Sequence, residues 1–196
     1  MEFFVNGASR RNGQSGTIGA AAAVLKDLDS PFSSSFSSWV TSEPLDDSIY
    51  PATHQRAELQ AIIIALKWAL QKYNVLPPRP NMEVTIWSDS KYAISCVSEW
   101  VHGWVRSGWK TAKGNDVVNR DLIEEADNLE SQAKHFGDVT YLYISRQHNE
   151  KAATACTLLL SRIAAGMIYH VSEQDDTPGQ DAVSSGTTNH GVEPEV

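Results

Sequence analysis

Thr53-His54-Gln55-Arg56-Ala57-Glu58-Leu59 opens the longest helical pattern in the chain. Leu59, Ile62, Ile63, Leu66 and Leu70 follow at helix spacing, which predicts a helix over 57–73 with Thr53 at its N-cap. Pro77, Pro78 and Pro80 then break the pattern. Beyond them Met82 to Trp87 alternates as a strand ending at Ser88-Asp89-Ser90. Glu58 and Asp89 thus stand on neighbouring elements, as a divalent-cation site requires. A two-ion site needs about four acidic oxygen donors. These two are the only ones found where such donors belong.

Upstream, Phe3-Phe4-Val5 reads as a strand ending at Asn6-Gly7, and Asn12-Gly13 and Gly16 are turn signals. Thr17 to Leu25 is small and apolar, as in a buried second strand. Residues 26–52 are irregular and Ser-rich. Their length predicts an inserted hairpin loop, with a third strand near 37–41. Downstream, 90–97 reads as a short helix. Glu99 to Asn115 stands apart, with Trp100, Trp104 and Trp109 among His102, Arg106, Lys110 and Lys113. Val117 to Lys134 reads as a helix, Val139 to Ile144 as the last strand, and Asn149 to Ile163 as the last helix. The order predicts a mixed α/β sheet with helices on both faces.

From about Gly166 the composition turns polar, so disorder is expected there. The expected division is a domain over 1–165 and a tail over 166–196. Of the formal net charge of −8, the six acids from Glu173 to Glu195 account for most, leaving the domain near neutral. That argues mildly against a strongly electrostatic nucleic-acid binder. Cys96 and Cys156 have no metal-like spacing, which fits a reducing compartment. Met1-Glu2-Phe3 opens no secretory signal, and no run approaches the roughly 20 apolar residues of a membrane span. The expectation is an intracellular protein, cytoplasmic or nuclear, without a membrane partner.

Several ordered pieces resemble the type 1 ribonuclease H family over roughly residues 1 to 165. Val5-Asn6-Gly7 resembles its first-strand Asp-Gly, and Thr53 through Leu59 resembles T-N-Q-R-A-E-L. Ser88-Asp89-Ser90 resembles T-D-S. Gly108-Trp109-Lys110-Thr111 and Val118-Asn119-Arg120-Asp121-Leu122 are similar to the basic protrusion and the helix after it. Arg146-Gln147-His148-Asn149-Glu150-Lys151-Ala152-Ala153 resembles R-x-x-N-x-x-A-D. The resemblance implies a five-stranded mixed sheet and binding of an RNA/DNA hybrid. It also implies four carboxylates holding two Mg²⁺ ions about 4 Å apart.

Two of those carboxylates are replaced, by Asn6 and by Ala153. Glu58 and Asp89 remain as the expected metal ligands, a weak pair that holds Mg²⁺ only if ribonuclease activity survives. Asn6 and His148 complete the expected catalytic remnant, and Glu150, one turn before Ala153, is a possible substitute ligand. The resemblance assigns nucleic-acid contact to Asn12, Thr53, His54, Gln55, Trp100, Trp104, Arg106, Trp109, Lys110 and Thr111. Lys and Arg would meet phosphates and the aromatic rings would stack. The blander reading has the tryptophans as core, Thr53 as a cap, and His148 as an exposed first-turn residue. The first functional reading is a ribonuclease H-type domain that binds an RNA/DNA hybrid or structured RNA with hydrolysis lost. One alternative is an active Mg²⁺-dependent endoribonuclease. Another is a metal-free small-molecule enzyme using His148, Glu58 and Asp89, and a fourth is a protein-interaction scaffold. The oligomeric state is left open.

Overall fold

The computed structural model describes residues 1–12, 16–26, 38–45, 49–75 and 81–166. Five strands, β1 (Glu2–Arg10), β2 (Ile18–Lys26), β3 (Ser38–Pro44), β4 (Met82–Ser88) and β5 (Gly137–Tyr143), form one sheet in the order β3-β2-β1-β4-β5. β1, β2 and β3 pair antiparallel, whereas β4 lies parallel to β1 and β5 parallel to β4. The helices are α1 (His54–Asn74), α2 (Lys91–Ser95), α3 (Val101–Arg106), α4 (Arg120–Lys134) and α5 (Glu150–Ala164). α1 packs on β1 and β2 with α4 against it, and α5 packs on the opposite face over β2, β1 and β3. The expected mixed sheet with helices on both faces is present.

Small side chains allow this sandwich. Ala20 to Ala23 are all fully buried, with Ala21 and Ala23 in the α1-side core and Ala20 against Leu159 and Leu160 of α5. A strand buried on both faces reads as a continuous apolar run rather than an alternation. Ile62, Ile63 and Leu66 of α1 meet Phe3, Val5, Val84 and Ile86 in the same core.

Several boundaries differ from the sequence reading. β1 does not end at Asn6-Gly7 but continues to Arg10, with Gly7 paired to Ala21. Gly7 is required by approach rather than by a turn: a Cβ there would stand 2.1 Å from the backbone of Ala57 and Glu58. Its absence lets α1 lie against β1. Thr53 does cap α1, its hydroxyl accepting from Arg56 N at 3.2 Å, which extends the helix back to His54. β3 runs on to Pro44, while 27–37 and 46–48 of the expected loop lie outside the described residues.

The helix expected over 90–97 does not stop there. α2 passes through a π-helical turn (Cys96–Trp100) into α3, held by the fully buried Val97 and Val101. α4 starts at Arg120, not Val117, because Asn119 takes a left-handed conformation (φ 61) that ends the preceding loop. β5 begins at Gly137 and ends at Tyr143, one residue short of the expected Ile144. The expected tail from 167 on lies outside the described residues. Among the described residues no helix is long and apolar enough to cross a membrane.

Candidate functional site

The middle of β1, just past its last pair with β4 (Val5 with Ser88), and the C-terminal end of β4 converge with the first turn of α1 and the N-terminus of α5. In open α/β sheets such a crevice is where ligands bind. Asp89 is the centre of the cluster. Asn6 Nδ2 donates to its Oδ1 at 3.0 Å, and Asn149 Nδ2 donates to the same oxygen at 2.9 Å. Asn149 Nδ2 also donates to Val5 O at 2.8 Å, so an oxygen in its place would meet two acceptors, which fixes the amide's orientation. Arg146 Nη1 reaches Asp89 Oδ2 at 3.4 Å.

Glu58 faces the same cluster from α1, 2% exposed. The Gly7 N–H bonds its carboxyl group, and His54 Nε2, one turn earlier, lies 3.3 Å from its Oε1. Burial, and then the nearby Asp89 charge, push the Glu58 carboxyl up to about 8. It therefore keeps its proton at neutral pH while no cation is bound. Burial, then Arg146, hold the His54 imidazole below its ordinary value, leaving it neutral. Cys156 Sγ donates to Asn6 O at 2.9 Å, and burial pushes its thiol up to about 12, so it packs rather than reacts.

The donor set does not fit two Mg²⁺ ions. Among the described residues no three His, Cys, Asp or Glu side chains gather as a metal-binding group. Asn6 and Asn149 both turn N–H groups toward Asp89, an arrangement that stabilises an anion by hydrogen bonds instead of sharing a cation with it. Ala153 supplies no ligand. Asn6 Oδ1, Asn149 Oδ1 and Glu58 Oε2 are buried without a partner, but two of these three oxygens belong to neutral amides. Glu150 is exposed on the first turn of α5, and the charges that move the Glu58 proton are Asp89 and Arg146. Nothing in this arrangement makes it a substitute ligand.

The other residues named from sequence lie on several elements. Asn12 Oδ1 accepts from the His54 N–H at 2.9 Å, tying the β1–β2 turn to the start of α1, and Gln55 is exposed beside it. Trp100 is 43% exposed, edge-on to Trp104 at 5.7 Å, and Arg106 projects on the same short helix. Trp109, placed among the contact residues from sequence, is instead 8% exposed in the core, with Arg120 over its ring. Lys110 pairs with Asp116 at 2.6 Å, and Thr111 Oγ1 donates to Asn115 O, so both brace their own loop. His148 lies in a 3₁₀ turn (Arg146–His148) ahead of α5, not in the helix, with Nδ1 2.8 Å from Ser145 Oγ. A cavity of about 340 Å³ includes His148, but its walls contain none of Glu58, Asp89 and Asn6. The metal-free reading needed one pocket holding His148, Glu58 and Asp89 together, and this cavity does not hold them.

Sequence reasoning left Arg146 and Asn149 out of the site. Their signal was present in Arg146-Gln147-His148-Asn149, but nothing in that spacing said that both would turn onto Asp89.

This arrangement of sheet, flanking helices and crevice defines a ribonuclease H fold. A type 1 RNase H carrying the type 2 active-site motif superposes with a TM-score of 0.61 at 19% identity, covering 82% of this chain and 71% of that one. The foamy viral protease-reverse transcriptase in complex with an RNA/DNA hybrid superposes at 0.54 and 20% identity, over 80% of this chain and 19% of that one. The family model described as RNase H matches residues 1–152, and the chain belongs to that family. A ribonuclease H of Anaeromyxobacter dehalogenans (strain 2CP-C) is 36% identical over 121 residues, which are 62% of this chain and 58% of the relative. The match thus spans less than two thirds of that relative's length.

Proposed function

We propose that this RNase H-family domain binds an RNA/DNA hybrid, or a structured RNA, without cleaving it efficiently. The observation that carries the reading is the pair of amides on Asp89 Oδ1, together with alanine at position 153. Hydrolysis by two ions needs anionic ligands on both sides of the scissile phosphate. Here the central carboxylate is held by N–H donors, and position 153 offers no ligand. The binding frame supports the rest of the proposal. His54, beside Glu58, is half-exposed on the first turn of α1, Gln55 next to it is exposed, and Trp100 and Arg106 offer an exposed ring and cation. The proposed limits are a domain ending with α5 near residue 165 and a tail over 166–196 outside it.

Fluorescence anisotropy on a labelled RNA/DNA hybrid tests binding, with single-stranded and duplex DNA as competitors. The expected result is saturable, hybrid-preferring and salt-sensitive binding, with no product on a gel in Mg²⁺ or Mn²⁺. Cleavage by the unaltered chain would overturn the loss of hydrolysis. Failure to bind would overturn the nucleic-acid reading.

A further inference from the structure

β3 stands at one end of the sheet, and among the described residues its outer edge pairs with no strand. A groove of about 570 Å³ runs along it, between Val40 and Ser42 on β3 and Glu150, Leu158, Leu159 and Arg162 on α5. Leu159 is buried, but Val40 is 53% and Leu158 62% exposed. An unpaired strand edge beside apolar side chains is a template for a further strand unless something covers it.

The direction of the groove follows from the register. Ser38, at the start of β3, pairs with Lys26, which shares a cavity with residues 147–151 at the start of α5. Pro44, at the end of β3, pairs with Ala20, which packs on Leu159 and Leu160 toward the end of α5. β3 and α5 therefore run the same way. Just past Arg162 the helix stops: Gly166 is left-handed (φ 65) and its N–H bonds Ile163 O at 3.0 Å. Such a residue ends a helix and turns the chain out of it.

The residues that follow are Met167-Ile168-Tyr169-His170-Val171. They are the one apolar run beyond α5, since from Ser172 on no more than two apolar residues are adjacent. Met167, Tyr169 and Val171 alternate, so an extended chain sets them on one face, and Ile, Tyr and Val suit strands. Five extended residues span about 17 Å. The groove from Glu150 to Arg162 is about 18 Å long by helical rise.

We infer that residues 167–171 of this same chain occupy the groove as a sixth strand, antiparallel to β3 on its outer edge. Met167, Tyr169 and Val171 face α5 and cover Val40 and Leu158. The added backbone gives the outer N–H and C=O groups of β3 their partners. The domain boundary proposed near 165 then moves to 171, and the acids from Glu173 on stay outside it. The inference does not depend on the nucleic-acid reading.

The test is NMR on the full chain. The expected result is NOEs from the Tyr169 ring to the methyl groups of Val40 and Leu158, unchanged on dilution, with slow hydrogen exchange at alternate β3 amides. Tyr169→Asp should abolish the NOEs and speed exchange at those amides at least about tenfold, leaving β4 amides unchanged. Leu158→Asp, at a position on the outside of α5, makes the same exchange test if the Tyr169 variant aggregates. Absence of the NOEs would overturn the proposal. So would unchanged β3 exchange in a folded variant. NOEs lost on dilution would place a second copy in the groove and overturn its assignment to the chain's own segment.

Discussion

Arg56 and Glu58 stand two residues apart on the same turn of α1, both buried, and their surroundings are opposite. Arg56 gives two parallel hydrogen bonds to Asp121 on α4, at 2.9 and 2.6 Å. The guanidinium beside Asp121 holds that carboxyl below its ordinary value, so both groups are charged and paired. Glu58 has a neutral imidazole at 3.3 Å, a backbone N–H and one oxygen without a partner. One pair closes the α1–α4 joint. The other is a buried acid kept neutral beside Asp89. A single helical turn thus carries one charged, paired group and one buried, neutral acid, as expected where stability and function make different demands on the same element.

The sharpest way to break this comparison is to separate α1 from β1. Gly7→Ala drives a Cβ into the backbone of Ala57 and Glu58. A loss of more than about 4 kcal/mol is expected, read as failure to fold or a collapsed urea midpoint. Wild-type stability at Gly7→Ala would show that α1 does not sit as described.

Glu58 gives the next effect. Its folded-state value, about 8, is raised from the ordinary carboxylate value of 4.5. The protonated form is therefore favoured by folding. The contribution is complete below about 4.5 and is lost as pH rises through about 8. Chemical denaturation across that window should show stability falling by an amount on the order of 2–4 kcal/mol. Glu58→Gln, neutral at every pH, should remove most of the slope. A slope unchanged in Glu58→Gln would assign it to other groups.

Asp121→Ala leaves the Arg56 guanidinium buried without its partner. Because Asp121 is itself partly exposed, the expected cost is about 2–3 kcal/mol, below that of a fully buried pair. Asp121→Asn should cost less, and a null effect would remove Arg56 from the frame. Smallest is Thr53→Ala, which deletes the α1 cap and should cost about 1 kcal/mol. A greater loss in hybrid affinity than in stability would show that the Thr53 hydroxyl also contacts ligand.

The frame was legible because its signals are local. Apolar spacing from Leu59 to Leu70 gave α1, and Thr53 gave its start. The ordered stretches around Glu58, Asp89 and Asn149 gave the family. What local pattern did not show was set by contacts distant in sequence. Gly7 looked like a strand end because only α1's approach explains it. Trp109 looked like a contact residue because only the core explains its burial. The turn at Cys96–Trp100 carries the helix past the point where the apolar pattern fades. The replaced carboxylates were visible as Asn6 and Ala153. The convergence of Asn6, Asn149 and Arg146 on one carboxylate was not, since those residues come from β1, α5 and the turn before it.

The most direct measurement is hybrid cleavage in Mg²⁺ by the unaltered chain and by the Asn6→Asp, Ala153→Asp double variant, side by side. The unaltered chain should be at background. The double variant, with four carboxylates again able to share two ions, should be faster by at least about a hundredfold. Robust cleavage by the unaltered chain would contradict the central claim. So would a folded, hybrid-binding double variant that stays at background.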